Sequence, residues 1–212
     1  MAWDCGTGSG QAALGLAPFY SKVYATDPST TQIANAVRHP AITYVAATAE
    51  NCGLADHSVN AVTVAQALHW FDLHAFYREV KRVARSQAVL VAWCYGLTRI
   101  DHEIDAIIEH YYNATVGPYW PPERRYIDEQ YRTLPFPFAE EYAPDEFNMQ
   151  LSWNLDAVCA YLATWSATHR FREKRGIDPI SALRDELLTC WGAAKQTRSV
   201  NWPIYLRIGR IE

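Results

Sequence analysis

Three glycines at every second position stand directly behind an acid in the stretch Asp4-Cys5-Gly6-Thr7-Gly8-Ser9-Gly10. Each glycine loses more backbone freedom on folding than a larger residue would, so three of them so close together are kept only where the main chain must turn tightly or let something approach it. The flanking patterns place this loop. Residues 11–17, QAALGLA, suit a helix that Pro18 limits, and residues 21–27, SKVYATD, read as a strand ending at Asp27. Strand, glycine turn, helix and strand in that order constrain the chain to an α/β arrangement.

The alternation continues. Residues 41–47, AITYVAA, form a third strand candidate and residues 59–67, VNAVTVAQA, a fourth, nearly continuous in apolar character as a central parallel strand covered on both faces requires. Residues 53–58 turn between them. From Asp72, which suits an N-cap, Leu73, Phe76, Val80 and Val83 recur at helical spacing while Arg78, Lys81, Arg82 and Arg85 take the other side. Residues 88–93, AVLVAW, give a fifth buried strand, and Ile104, Ile107, Ile108 and Tyr111 share one face of a second helix. Prolines at 118, 121, 122, 135, 137 and 144 then predict an irregular, aromatic-rich insertion over residues 117–146. Beyond it, FNMQLSW reads as a strand, LDAVCAYLATW and ISALRDELLTCW as helices, and WPIYLRIGRI as a strand by its period of two, with Pro203 placing its start near an edge.

The fold class is therefore α/β: a Rossmann-like, doubly wound, mostly parallel sheet with an antiparallel C-terminal strand and an aromatic, partly helical insertion. Right-handed crossovers put a ligand at the carboxyl ends of the strands. We expect a single domain over 1–212, with a cofactor-binding half at 1–96, a substrate-side elaboration at 97–198 and the last strand at 199–212.

Charge and cysteine usage narrow the function. Half of the 212 residues are hydrophobic and the formal net charge is −4, so the basic footprint that nucleic-acid binding requires is missing. Five cysteines, widely spaced and never in a C-x-x-C pair, suggest buried thiols of a cytoplasmic protein rather than disulfides or zinc ligands. No apolar run approaches the roughly 18–20 residues that span a bilayer, so no membrane partner is expected.

Spacing decides what the loop holds. A dinucleotide fingerprint beginning at Gly6 and Gly8 would need a small residue at position 11, where Gln11 stands. That disfavours a nicotinamide oxidoreductase. An acid-x-Gly-x-Gly-x-Gly loop sets a carboxylate near a cationic group, such as an amino acid ammonium, and Asp27, 21 positions after Gly6, can accept both hydroxyls of a ribose. At these residues the sequence resembles the class I S-adenosylmethionine-dependent methyltransferases. The runs AQALHWFD, FYREVKRV, YLATWSATHRF and WPIYLRIGR are similar to the trans-aconitate methyltransferase-like subgroup. The resemblance implies S-adenosylmethionine as cofactor, with Asp4, Gly6, Gly8 and Gly10 around its methionine moiety, Asp27 on the ribose, Ala49 and Glu50 bordering adenine and Gln66 beside the methyl group. It also implies a helical cap ahead of the first strand. Only three residues precede Asp4 here, so the expectation is a truncated chain or a missing lid.

On the substrate side, His69, Trp70 and Tyr95 stand at the ends of the fourth and fifth strands, either as pocket wall or as packed structure. His57, His69, Asp72 and His74 are close in sequence, but Asp72 suits a helix cap and two neighbouring histidines fix no coordination geometry, so no metal is assigned. Trp120, Trp165 and Trp191 suit core packing better than a chamber wall, and Arg170, Arg172, Lys174 and Arg175 read as a solvated face. No catalytic residue is assigned. Methyl transfer from a sulfonium needs alignment, and a base only when the nucleophile carries a proton. The expected acceptor is a small carboxylic acid. A hydroxyl or phenol is the alternative within the fold, and a non-catalytic binding protein the alternative outside it.

Overall fold

The computed structural model describes residues 1–142 and 147–212, so Pro144 of the expected insertion lies outside the described residues. Two compact units divide the chain: Met1–Tyr95 with Tyr126–Asp145 and Tyr205–Glu212, and Gly96–Arg125 with Glu146–Ile204.

In the first unit, β1 (Ala2–Cys5) pairs in parallel with β2 (Val23–Asp27) and with β4 (Val59–Ala65), β2 with β3 (Ile42–Ala46), and β4 with β5 (Ala84–Tyr95). Strand order is β3-β2-β1-β4-β5-β8-β6, where β8 (Arg198–Arg210) carries the antiparallel β6 (Ala139–Glu141) on residues 208–210. Mixed α/β with a mostly parallel sheet is the arrangement that the sequence pattern predicts. One face packs Ala13 of α1 (Gln11–Leu16) against Val23, Ala25 and Ile42. The other buries Trp3, Cys5, Val62 and Val64 against α3 (Leu73–Val83) through Phe76, Val80 and Val83. Trp3 is fully buried, and its indole N–H donates to Thr26 Oγ1 at 2.9 Å, so the polar edge of this large side chain is satisfied.

Asp72 does cap α3: its Oδ1 accepts from the Ala75 amide at 3.1 Å. The helix runs without a loop into β5, which starts at Ala84 and not at Ala88 as the apolar run implied. Ala84 pairs with Val59 while Val89 already pairs with Ala61, so the chain bulges between them, with Gln87 at φ 65°. The polar Arg85-Ser86-Gln87 segment masks the strand's beginning from a hydrophobicity pattern. A further short helix, α2 (Thr30–Ala34), follows β2 behind an N-capping Ser29 whose side chain accepts from the Gln32 amide. It buries no side chain and so leaves no apolar signature.

The second unit holds α4 (His102–His110), which continues as a wider turn over Tyr111–Thr115, together with β7 (Asn148–Trp153), α6 (Leu155–Ala163), α7 (Ser166–Arg175) and α8 (Pro179–Trp191). β7 pairs antiparallel with residues 198–203. The pattern LDAVCAYLATW is thus interrupted after Ala163, and the run read as a solvated face is α7. The last strand starts at Arg198, ahead of Pro203, which takes the final place in the β7 register opposite Asn148. The segment 117–146, expected to be irregular, contains α5 (Arg124–Asp128) as well as β6. Its residues from 126 to 142 belong to the first unit, where Phe136 and Phe138 meet the Tyr77 ring edge-on and Tyr77 donates its hydroxyl proton to Pro135 O at 2.7 Å. No helix among the described residues is long and apolar enough to cross a membrane.

Candidate functional site

All parallel strands of the first unit end on one edge, and register sets what stands there. Cys5 lies opposite Thr26, Asp27 opposite Ala46 and Ala65 opposite Trp93, so the β1 loop, Asp27, Gln66 and Tyr95 share that edge. In the loop, Gly6, Gly8 and Gly10 have φ values of 68°, 57° and 90°, all in the left-handed region. Gly6 and Gly8 differ in what surrounds them. A Cβ on Gly6 would lie 2.6 Å from Ala67 Cβ, whereas one on Gly8 would meet nothing within 4 Å. Gly6 seats the loop on the start of the following turn, and Gly8 keeps an open backbone surface, a cradle that a bound group can fill.

Asp4 and Asp27 hold this loop from either side. Asp4 and Thr63 are register partners and therefore project to the same face of the sheet. Thr63 Oγ1 donates to Asp4 Oδ1 at 2.7 Å and Thr7 Oγ1 to Oδ2 at 2.5 Å, while the Ala13 amide in the first turn of α1 adds a backbone hydrogen bond. Asp4 is fully buried, and desolvation pushes its carboxyl up from 3.8 to about 6, against those three hydrogen bonds, which lower it. The N-cap of α1 is Gly10, which has no side chain to cap with, so Asp4 supplies that acceptor from the strand. Asp27 is half-buried. Its Oδ2 accepts from the Gly8 amide and its Oδ1 from the Ser29 amide, each at 2.9 Å. Four acceptor positions on a carboxylate leave room for two hydroxyl donors besides.

The expected adenine-side residues occupy a tight turn. Ala49 is buried in the core, and Glu50 Oε1 accepts from the Asp72 amide at 3.0 Å, which ties this turn to the start of α3. Gln66, at φ 54°, leaves β4 in the left-handed region; its amide donates to Trp93 O at 2.9 Å and its Oε1 accepts from the Tyr95 amide at 3.3 Å. A non-glycine residue held there is strained, and such strain concentrates where a side chain must be aimed. The two bridges bind the exits of β4 and β5 together.

His69 follows on a short turn, Leu68–Trp70, with its ring buried and Nδ1 2.8 Å from the Tyr131 hydroxyl. Trp70 packs against it at a tilt, with ring centres 4.8 Å apart, yet is 58% exposed. The structure brings His69 and Tyr131 together across 62 positions, a pairing that local spacing could not show. Thr7 and Thr63 were also missed, although a strand pattern placing Thr63 beside the end of β1 carries a partial signal. In the second unit, Trp120 and Trp165 pack on each other and on Tyr112, Trp191 is fully buried, and Arg172 pairs with Asp178.

His74 contacts Arg78, His57 Nδ1 lies 3.0 Å from Ala84 O, and His69 meets Tyr131, so the histidines that are close in sequence point to different partners. Among the described residues no three His, Cys, Asp or Glu side chains come together as a ligand set. Added chelator is expected to leave the protein's activity unchanged. Activity lost to chelator and restored by a divalent ion would contradict that.

A family model described as a methyltransferase domain matches residues 3–92. A methyltransferase of Dictyostelium discoideum is 34% identical over 218 residues, covering all of this chain and 82% of that protein. An S-adenosylmethionine-dependent methyltransferase of Saccharomyces cerevisiae is 27% identical over 100 residues, 43% of this chain and 34% of the yeast protein. Among solved structures, a type II methyltransferase from Anaeromyxobacter dehalogenans has a TM-score of 0.93 and 48% identity over 99% of this chain and 89% of its own. A methyltransferase from Bacillus halodurans, at 18% identity and TM-score 0.53 over 99% and 91%, shares the fold.

Proposed function

This chain belongs to the methyltransferase family and is an S-adenosylmethionine-dependent enzyme, and from that premise we propose that it methylates an oxygen of a small carboxylic acid in the cytoplasm. The observation that carries the reading is how groups are distributed along the strand ends. Carboxylates lie at β1 and β2, in Asp4 and Asp27, whereas β4 and β5 end in an amide, an imidazole, an indole and a phenol, in Gln66, His69, Trp70 and Tyr95. The first group suits a ligand with an ammonium and a ribose, and the second suits an acceptor that needs orientation more than activation.

The open cradle at Gly8 and the remaining acceptor positions of Asp27 fit the cofactor. In this reading Asp27 takes the ribose hydroxyls, Asp4 with Gly6, Gly8 and Gly10 surrounds the methionine moiety, Ala49 and Glu50 border adenine, and Gln66 stands beside the transferred methyl. The bound cofactor supplies an electrophilic methyl on a sulfonium. For the chain's own residues the task is alignment, since positive charge disappears in an in-line displacement and a carboxylate of reference pKa near ~4 is already ionised at neutral pH. His69, Trp70 and Tyr95 would hold the acceptor. The trans-aconitate methyltransferase-like resemblance of this region points to the same substrate class.

A cofactor-dependent screen of small acids and phenols tests the assignment. Methyl esters are expected, with a rate flat between about pH 6.5 and 8 because no group titrating near ~6.5 must lose a proton. A rate that rises through that range and loses its rise in His69→Ala would move the acceptor to a hydroxyl.

A further inference from the structure

In the second unit β7 has one side open, and the backbone pairing shows which of its groups are unused. Among the described residues β8 is the only strand that β7 pairs with. The phase of that pairing is fixed from the β8 side. Ile204 donates its amide proton to Phe147 O at 2.8 Å, so residues 147 and 204 turn toward each other. Pro203 O instead accepts from the Gly96 amide at 2.9 Å, and Asn201 exchanges two bonds with Arg99, at 2.7 and 2.8 Å. Those two residues turn away from β7. Opposite residues of an antiparallel pair turn together, so Asn148 and Gln150, and Ser152 by the same alternation, aim their N–H and C=O groups at the open side.

The side chains of this edge are apolar on one face. Phe147, Met149 and Leu151 are 47%, 37% and 42% exposed, while Trp202 and Val200, the register partners of Met149 and Leu151, are fully buried. The apolar face of the pair therefore continues onto β7 and stops at solvent. Residues 147–153, FNMQLSW, contain no charge, proline or glycine, the devices that normally keep an exposed edge from pairing. In the first unit β6 has such a device. Its Glu140 and Glu141 pair with Arg207 and Arg210, and Arg207 also donates to the carbonyls of Tyr131 and Leu134 at 3.0 and 2.6 Å.

We propose that β7 is a self-association edge, on which a second copy of this chain lays its own β7 antiparallel about a twofold axis through Gln150. The axis follows from the phase. With Gln150 opposite its own copy, Asn148 meets the partner's Ser152, so every pair that exchanges main-chain bonds joins residues whose groups are unused within one chain. The same register sets Met149 against the partner's Leu151 and Phe147 against the partner's Trp153, apolar against apolar, with Asn148, Gln150 and Ser152 together on the polar face. No like charges oppose each other across the axis. An unrelated strand would have to match this pattern, whereas a second copy carries it.

Light scattering on the wild-type chain, with concentration raised through the micromolar range, is expected to show a mass rising from one chain toward two. Gln150→Pro removes the N–H at the axis and no main-chain bond to β8, giving up only the side-chain bond to Ser199. It should stay a single chain at every concentration with a melting curve close to wild type. A wild type that stays monomeric, or a folded Gln150→Pro that associates like wild type, would overturn the proposal. A second test does not depend on that variant. When Met149→Cys and Leu151→Cys chains are mixed, the paired thiol positions lie about 4.5 Å apart between Cα atoms. Either variant alone sets them diagonally at about 7–8 Å, beyond the reach of a disulfide. Oxidation should give a covalent dimer from the mixture, and from either variant alone no more than the background set by the native cysteines. No dimer from the mixture, or as much from either variant alone, would overturn the twofold pairing.

Discussion

Replacing Asp27 with alanine is expected to weaken binding of S-adenosylhomocysteine by about 1.5–3 kcal/mol, or roughly 10- to 150-fold in Kd, the range for a hydrogen bond to a charged group. Two losses add in this variant. The carboxylate's unshared acceptor positions disappear, and so does the acceptor of the Gly8 amide, which anchors the open part of the glycine loop. Asp27→Asn keeps one oxygen and should fall between wild type and alanine. Calorimetric titration with S-adenosylhomocysteine and with NAD checks the result, and a melting curve on each variant separates a binding defect from unfolding. Wild-type affinity in Asp27→Ala would mean that the ribose is held elsewhere, and tight NAD binding without a response to S-adenosylhomocysteine would remove the reading of the loop.

Asp4 is expected to make the protein less stable as pH rises from about 4 to about 6. Burial lifts its carboxyl from 3.8 to about 6, so within that window the folded state binds a proton that the unfolded chain has released. The stability contributed by the protonated form is complete below the unfolded value and is lost as pH climbs through the folded one. A shift of that size corresponds to about 3 kcal/mol at full deprotonation. Glu79 acts in the opposite sense at lower pH: the Arg82 guanidinium holds its carboxyl down to about 2, so its contribution fades as acid is added below its ordinary range. Urea unfolding of wild type and Asp4→Asn at several pH values isolates the first effect. The difference between the two should change across pH 4 to 6 in favour of the neutral variant, and parallel profiles would show that Asp4 ionises without penalty in the fold.

The glycine loop, its flanking acids and the cap of α3 were legible because their signals are local. The glycines and the acid lie within seven positions, Asp27 ends a strand that reads as one, and Asp72 precedes the first turn that it caps. The surroundings of His69 depend on contacts between distant positions. His69 was visible as a residue at a strand exit, but its partner Tyr131 sits in a stretch whose prolines predict only irregularity. Glu50 gave no sign of its bond to the Asp72 amide, and nothing in the Arg85-Ser86-Gln87 segment announces a strand. Threonines that satisfy Asp4 come from two elements, and only the pairing of β1 with β4 turns Thr63 toward it. Periodicity reports which face of an element is apolar, and leaves open which polar groups meet across the sheet.

The hydrogen bonds from Arg207 to the carbonyls of Tyr131 and Leu134 have a consequence for the order in which the fold is completed. They span 76 and 73 positions, so on a growing chain the turn that carries Tyr131 is synthesised long before the residue that pins its carbonyls. The parallel sheet can form from segments already synthesised, since β1 to β5 are complete by Tyr95. Closing so long a loop is entropically costly and comes late. A nascent chain can thus hold a finished parallel sheet and glycine loop while the turn at Tyr131 is still unpinned, and that turn waits on the last strand.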